Sequence, residues 1–172
     1  TIWEGHLNMC EAKTAIDNSL LPIKVADLMI KKVIAVDSET TIREAANLMN
    51  KFEIGCLIVL TNGKVDGIVT ERDILKRVVG ENRDVNKTAI KEIMSRPVWV
   101  IEPNAELETA LQHMLKIKIK KLPVVENGKL VGLLTLTDIA RFQPELLNKF
   151  KKLIVEGHIP KRIQKVVSCY IS

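Results

Sequence analysis

Two short stretches carry the side chains best suited to chemistry: Thr70-Glu71-Arg72-Asp73 and Thr135-Leu136-Thr137-Asp138. Each sets a hydroxyl and a carboxylate three residues apart, directly after an apolar run. Two roles suit that spacing. The Thr oxygen can accept the amide of the third helical residue while the Asp returns to the Thr amide, which caps a helix. Alternatively, the Asp can hold the 2′- and 3′-hydroxyls of a ribose, with the Thr and the helix start receiving phosphate. A carboxylate shielded from water gains about 1.5 to 3 kcal/mol from each such bond. Other chemistry finds no support. There is no Gly-rich Walker loop or dinucleotide fingerprint, and His6, His113 and His158 lack metal-ligand spacing. Cys10, Cys56 and Cys169 are far apart, with neither a C-x-x-C pair nor a disulfide framework, so no metal is expected. No nucleophile, base and orienter can be assembled, and the expectation is no catalysis.

The elements that must position these residues come from an internal repeat. Sliding the chain by 65 positions sets Val33 on Val98, Ala45 on Ala110, Asn62-Gly63-Lys64 on Asn127-Gly128-Lys129, and Thr70 and Asp73 on Thr135 and Asp138. Each copy reads as a short lead-in helix (Val25 to Met29, Ile90 to Met94), a brief strand (Val33 to Val36, Val98 to Ile101), an amphipathic helix, two strands and a last helix. Ile42, Ala45, Ala46 and Met49 recur at helical spacing, as do Leu107, Ala110, Leu111 and Met114. Thr41 and Glu44 form a capping box, and the Asn-Gly pairs predict type I′ hairpin turns. A β-α-β-β-α unit this small cannot cover both faces of its sheet. The expectation is therefore an α+β fold, two repeats packed sheet to sheet about a pseudo-two-fold axis, with function between them. Boundaries fall at 1–21 (an N-terminal extension), 22–80, a linker 81–88, 89–143, and 144–172 (a basic helical extension).

The segments Gly67-Ile-Val-Thr-Glu-Arg-Asp-Ile74 and Gly132-Leu-Leu-Thr-Leu-Thr-Asp-Ile139, with Asp27-x-Met29 near the start, resemble the CBS domain. Two in tandem resemble a Bateman module of the free-standing kind, over about residues 24–143. The resemblance implies a regulatory module that binds AMP, ADP, ATP or S-adenosylmethionine in clefts between the repeats, dimerises through its helices into a flat disc, and reports occupancy to a protein partner. Carried over by position, one cleft combines Ile68, Thr70, Arg72 and Asp73 with Trp99, Lys120 and Lys121. The mirror cleft combines Leu133, Thr135, Thr137 and Asp138 with Ile34, Gly55 and Cys56. The first has Arg72, Lys120 and Lys121 for phosphate and Trp99 as a wall for adenine. The second has no cation at matching positions, so a phosphorylated nucleotide is expected at Asp73.

Composition limits the rest. The chain has 172 residues and 47% hydrophobic content, enough for a core, and no apolar run long enough to span a membrane. With no secretory signal in Thr1 to Cys10, a cytoplasmic location is expected. The net charge of +5 invites a nucleic-acid reading. Yet residues 144–172 hold Lys149, Lys151, Lys152, Lys161, Arg162 and Lys165 against Glu145 and Glu156, so +4 of the +5 lies in the tail. Leu146, Leu147, Phe150, Leu153 and Ile154 make an amphipathic stripe there, and Trp3, Leu7 and Leu20 mark an N-terminal segment suited to a subunit interface. A nucleic-acid-associated protein using that basic tail is the alternative reading.

Overall fold

A computed structural model describes residues 22–150 and 160–170; for Arg162 and residues 167–170 it describes the backbone alone. The N-terminal segment around Trp3, Leu7 and Leu20 and the stretch 151–159, with Leu153 and Ile154, lie outside the described residues. The first copy contains helix α1 (Val25–Leu28), strand β1 (Ala35–Asp37), helix α2 (Ile42–Phe52), the hairpin β2 (Cys56–Thr61) and β3 (Lys64–Thr70), and helix α3 (Glu71–Ile74), which widens into a π-helical turn over Leu75–Val79. The second has a 3₁₀ turn (Ile90–Glu92), α4 (Leu107–Lys116), the hairpin β4 (Lys121–Glu126) and β5 (Lys129–Thr135), and α5 (Leu136–Phe142). Helices α6 (Pro144–Lys149) and α7 (Lys161–Tyr170) follow.

Local chemistry accounts for these boundaries. Thr41 caps α2: its hydroxyl accepts the Glu44 amide, and Glu44 Oε2 accepts the Thr41 amide at 2.9 Å. Those bonds, the backbone one first, hold the exposed Glu44 carboxyl below its usual range. Both hairpins turn on Asn-Gly with positive φ at both residues, 53° and 74° at Asn62-Gly63, 50° and 77° at Asn127-Gly128.

The two sheets differ. In the first, β1 runs parallel to β2, and β2 antiparallel to β3. The second has only the β4–β5 pair; the strand expected at Val98 to Ile101 is reduced to a single parallel bridge between Ile101 and Val124. Two prolines account for the loss: Pro103 stands where Ser38 N–H donates to the Leu60 carbonyl at 3.0 Å in the first copy, and Pro123 removes a second bond. In the first copy, Ile58 N–H donates to the Ile34 carbonyl at 3.2 Å. Pro123 stands at the equivalent position and has no N–H to donate, so Trp99 loses that ladder bond. The bonds from Ile101 N to Pro123 O and from Val125 N to Ile101 O survive.

The lead-in segments exchange partners. Val25 is buried in the second copy's core with Leu107, Leu111, Leu122 and Leu134, and its amide donates to Ala105 O at 2.9 Å. Reciprocally, Ile90 and Ile93 are buried in the first copy's core with Ile42, Leu57 and Val69, and Ile90 N donates to Thr40 O at 2.8 Å. Met94 lies over Gly67 and Met29 over Gly132, so a Cβ at either glycine would overlap the methionine sulfur. A third cluster, Cys56, Ile58 and Leu133 with Ala35, Ile68 and Leu130 against them, joins the two sheets face to face. The described parts of the C-terminal extension pack on the second copy as well: Leu147, Phe150 and Ile163 are buried in its core. Among the described residues no helix is long and apolar enough to cross a membrane.

Candidate functional site

The two Thr-x-x-Asp turns sit where a strand of each sheet passes into its last helix. At the first, Asp73 Oδ2 accepts both the Thr70 amide (2.9 Å) and the Thr70 hydroxyl (2.7 Å), and Asp73 N–H returns to Thr70 Oγ1 at 3.3 Å. The capping box is complete. It spends one carboxylate oxygen; among the described residues Oδ1 has only Arg77, whose Nη2 stands 3.6 Å away. That separation is an ionic contact longer than a hydrogen bond. At the second turn, Thr135 Oγ1 donates to Asp138 Oδ2 and accepts the Asp138 amide at 3.1 Å, and Asp138 has no ion pair among the described residues.

The remaining residues of the set fall into distinct places. Gly55 and Lys120 are equivalent: the Gly55 carbonyl accepts the Glu71 amide at 3.3 Å, and the Lys120 carbonyl accepts the Leu136 amide at 2.8 Å. Cys56 and Lys121 then open β2 and β4, opposite Thr70 and Thr135. The two repeats meet here. Burial pushes the Cys56 thiol above its ordinary range; the positive charge of Lys121 opposes that and the negative charge of Glu71 adds to it. The Lys121 ammonium is therefore within electrostatic reach of the end of β2 that carries Cys56 and, across the ladder, Thr70. Ile68 and Leu133 belong to the cluster between the sheets. Arg72 and Thr137 lie in the first turns of α3 and α5, with Arg72 exposed.

Two residues face elsewhere. Ile34 packs into the first copy's own core. Trp99, its equivalent, is 51% exposed and meets His113 of α4 edge-on, with ring centroids 5.1 Å apart and planes at 72°. Two open grooves are lined by other residues, the second of them beside the set. One of about 440 Å³ is lined by Val36, Glu44, Leu48 and Lys51; the other, of about 240 Å³ and lined by Met49, Asn50, Glu71 and Ile74, borders α3.

Arg77 is the functional candidate that the repeat alignment passes over. Its counterpart is Phe142, so no recurrence marks it. The signal available was an Asp-Arg pair at i, i+4 on one helix face. Among the described residues, no group of three or more His, Cys, Asp or Glu side chains could hold a metal ion.

Comparison with known proteins agrees with this architecture. The CBS domain family matches residues 25–80 and again 90–145. The CBS domain-containing protein YhcV of Bacillus subtilis is 38% identical over 116 residues, which cover 67% of this chain and 82% of that protein. Protein MJ0450 of Methanocaldococcus jannaschii is 30% identical over 148 residues, covering 84% and 78%. Among solved structures, the CBS domain pair of protein MJ0100, in complex with 5′-methylthioadenosine and S-adenosyl-L-methionine, is 31% identical with a TM-score of 0.64, covering 73% of this chain and 98% of that one. A hexameric CBS-CP12 protein from bloom-forming cyanobacteria is 28% identical with a TM-score of 0.66, covering 78% of each. With both halves of its repeat matched and the sheets, turns and clusters of the two copies in register, the chain belongs to the CBS-domain proteins and carries two CBS domains in tandem.

Proposed function

We propose that the chain is a regulatory module that binds an adenosine-containing ligand between its two CBS domains and transmits occupancy to a partner, without catalysing a reaction. The observation that carries this reading is the unspent oxygen of the Asp73 carboxylate. Thr70 takes Oδ2 twice, yet among the described residues Oδ1 accepts no hydrogen bond. Asp73 is mostly buried, with its side chain 17% exposed. A vicinal diol supplies two O–H donors to such an acceptor. The MJ0100 pair, with its two adenosine compounds, supports the ligand class.

The Asp73 end is the place for a phosphorylated ligand, since Arg77 lies beside the carboxylate and Lys121 near the end of β2. The Asp138 end suits a less charged adenosine compound. Trp99 serves as an apolar wall only if the ligand reaches the α4 side of its sheet, where it meets His113. A second copy is the natural first partner, as the hexameric relative is an assembly. Occupancy acts on any such partner only through differential affinity for two arrangements.

Calorimetric titration with AMP, ADP, ATP and S-adenosylmethionine tests the reading on wild type, Asp73→Ala and Asp138→Ala. Losing both diol bonds at Asp73 costs about 3 kcal/mol, roughly a hundredfold in affinity. Unchanged binding by Asp73→Ala overturns the site assignment, and no heat with any of the four ligands overturns the function.

A further inference from the structure

Arg77 holds a place that nothing in the second copy matches. It follows Asp73 by four residues, on the π-helical turn after α3. Besides its contact with Asp73, its Nη1 donates to the Ile93 carbonyl, and its Nη2 lies 3.4 Å from Ser95 Oγ. Those two residues begin the second CBS domain in sequence, yet they are laid along the first domain's sheet. Ser95 N donates to Ile68 O at 2.9 Å, and Ile68 N donates to Ser95 O at 3.2 Å. One guanidinium thus joins the carboxylate of the candidate site to the segment leading from one domain to the next. In the second domain the equivalent residue, Phe142, is 58% exposed and offers no such link between Asp138 and the Ile30–Leu133 bridge.

The chemistry of the pair fits a coupling role. A guanidinium is always charged and carries five donors on a rigid plane, so it can serve a carboxylate, a carbonyl and a hydroxyl together. At 3.6 Å it orients Asp73 by charge and leaves Oδ1 free to accept a hydroxyl. An occupant that fixes Asp73 also fixes Arg77, and through it Ile93 and Ser95. By linkage the effect is reciprocal, and whatever steadies Ser95 readies the carboxylate.

We propose that Arg77 is a positioning residue that couples Asp73 to the Ile93–Ser95 segment, so that occupancy of this one site is felt at the edge of β3 and at the entry to the second domain. The identity of the occupant rests on the function proposed above; the coupling is a property of the chain without ligand. Amide hydrogen exchange on the full ligand-free chain tests it. Asp73→Asn removes the charge and keeps the shape, and should speed exchange at the Ser95 and Ile68 amides about tenfold. Asp138→Asn should leave the Ile30 and Leu133 amides unchanged. Arg77→Ala should speed Ser95 exchange by itself and abolish any further effect of Asp73→Asn, whereas Arg77→Lys retains part of the response. The Leu134 amide reports whether each variant keeps its fold, and Arg77→Lys carries the cycle if the alanine variant does not. Ser95 exchange that ignores Asp73→Asn, or responds equally with and without Arg77, overturns the coupling. A parallel titration with AMP should show Arg77→Ala binding about tenfold more weakly than wild type. Absence of AMP binding by wild type counts against the ligand reading alone, because the exchange cycle judges the coupling independently.

Discussion

The two CBS domains share a register yet are built to different tolerances, and the differences gather around one site. The first has a three-stranded sheet, a complete capping box on α2 and a charged neighbour for its Asp; the second replaces these with Pro123, Glu106 and Phe142. The second instead carries α6 and α7; Leu147 and Ile163 on these helices, and Phe150 just after α6, are buried in its core. The first leaves Leu75 and Val79 on its last helical turn 63% and 64% exposed. Duplication supplied two equivalent turns, and the surroundings made them unequal. The first domain has the fuller sheet and a carboxylate braced by Arg77, and the second is packed by the C-terminal helices instead.

The largest effect that separates the domains comes from their exchanged lead-ins. Ile93 precedes the second domain's sheet in sequence but is fully buried in the first domain's core. Ile93→Ala should cost about 2 to 5 kcal/mol, and its exchange signature should appear first at Leu57 and Val69, not at Leu122 and Leu134. Early opening of the second domain instead would refute the exchanged packing. Val25→Ala is the mirror test, with the order reversed.

A smaller effect concerns the missing strand. Ile58→Pro gives the first domain part of the second's chemistry: it orphans the Ile34 carbonyl, at about 1 to 3 kcal/mol, and deletes a fully buried side chain. Chemical denaturation should show the loss, and exchange should show β1 shortened. The reverse change, Pro123→Ile, should produce a protected amide at residue 123 bonded to Trp99 O. If that amide exchanges freely, Pro123 has no part in shortening the second sheet.

These contrasts mark how far the sequence could be read. The repeat, the α+β class, both Asn-Gly hairpins, the Thr41–Glu44 box and the Thr-x-x-Asp turns were all legible, because each depends on residues within a few positions or on a fixed period. The exchange of Val25 and Ile90 was not, since periodicity tells which residues are buried and says nothing about which copy buries them. Nor was the loss of the strand at Val98 to Ile101. Its β-branched run is sound, and the fault lies in two absent N–H groups, that of Pro103 just after the run and that of Pro123 on the strand beside it. Arg77 escaped for the opposite reason: a search for recurrence discards a residue whose counterpart is Phe142.

The smallest contrast is in the caps and is best read with pH. Glu44 accepts the Thr41 amide and hydroxyl, which hold its carboxyl below the usual range, whereas the equivalent Thr109 has no carboxylate to titrate. A carboxyl whose folded pKa is depressed binds its proton more readily in the unfolded chain. Its contribution is therefore complete above the unfolded value, about 4.3, and disappears as pH falls through the lowered folded value. The stability difference between wild type and Glu44→Gln should stay constant from neutral pH down to about pH 5 and shrink in stronger acid, as followed by urea denaturation at each pH. Thr109→Gln should show no such trend. A Glu44→Gln difference that persists undiminished at pH 2 would mean that the side chain acts through shape alone, and that the cap of the first domain is no more electrostatic than the uncapped start of α4.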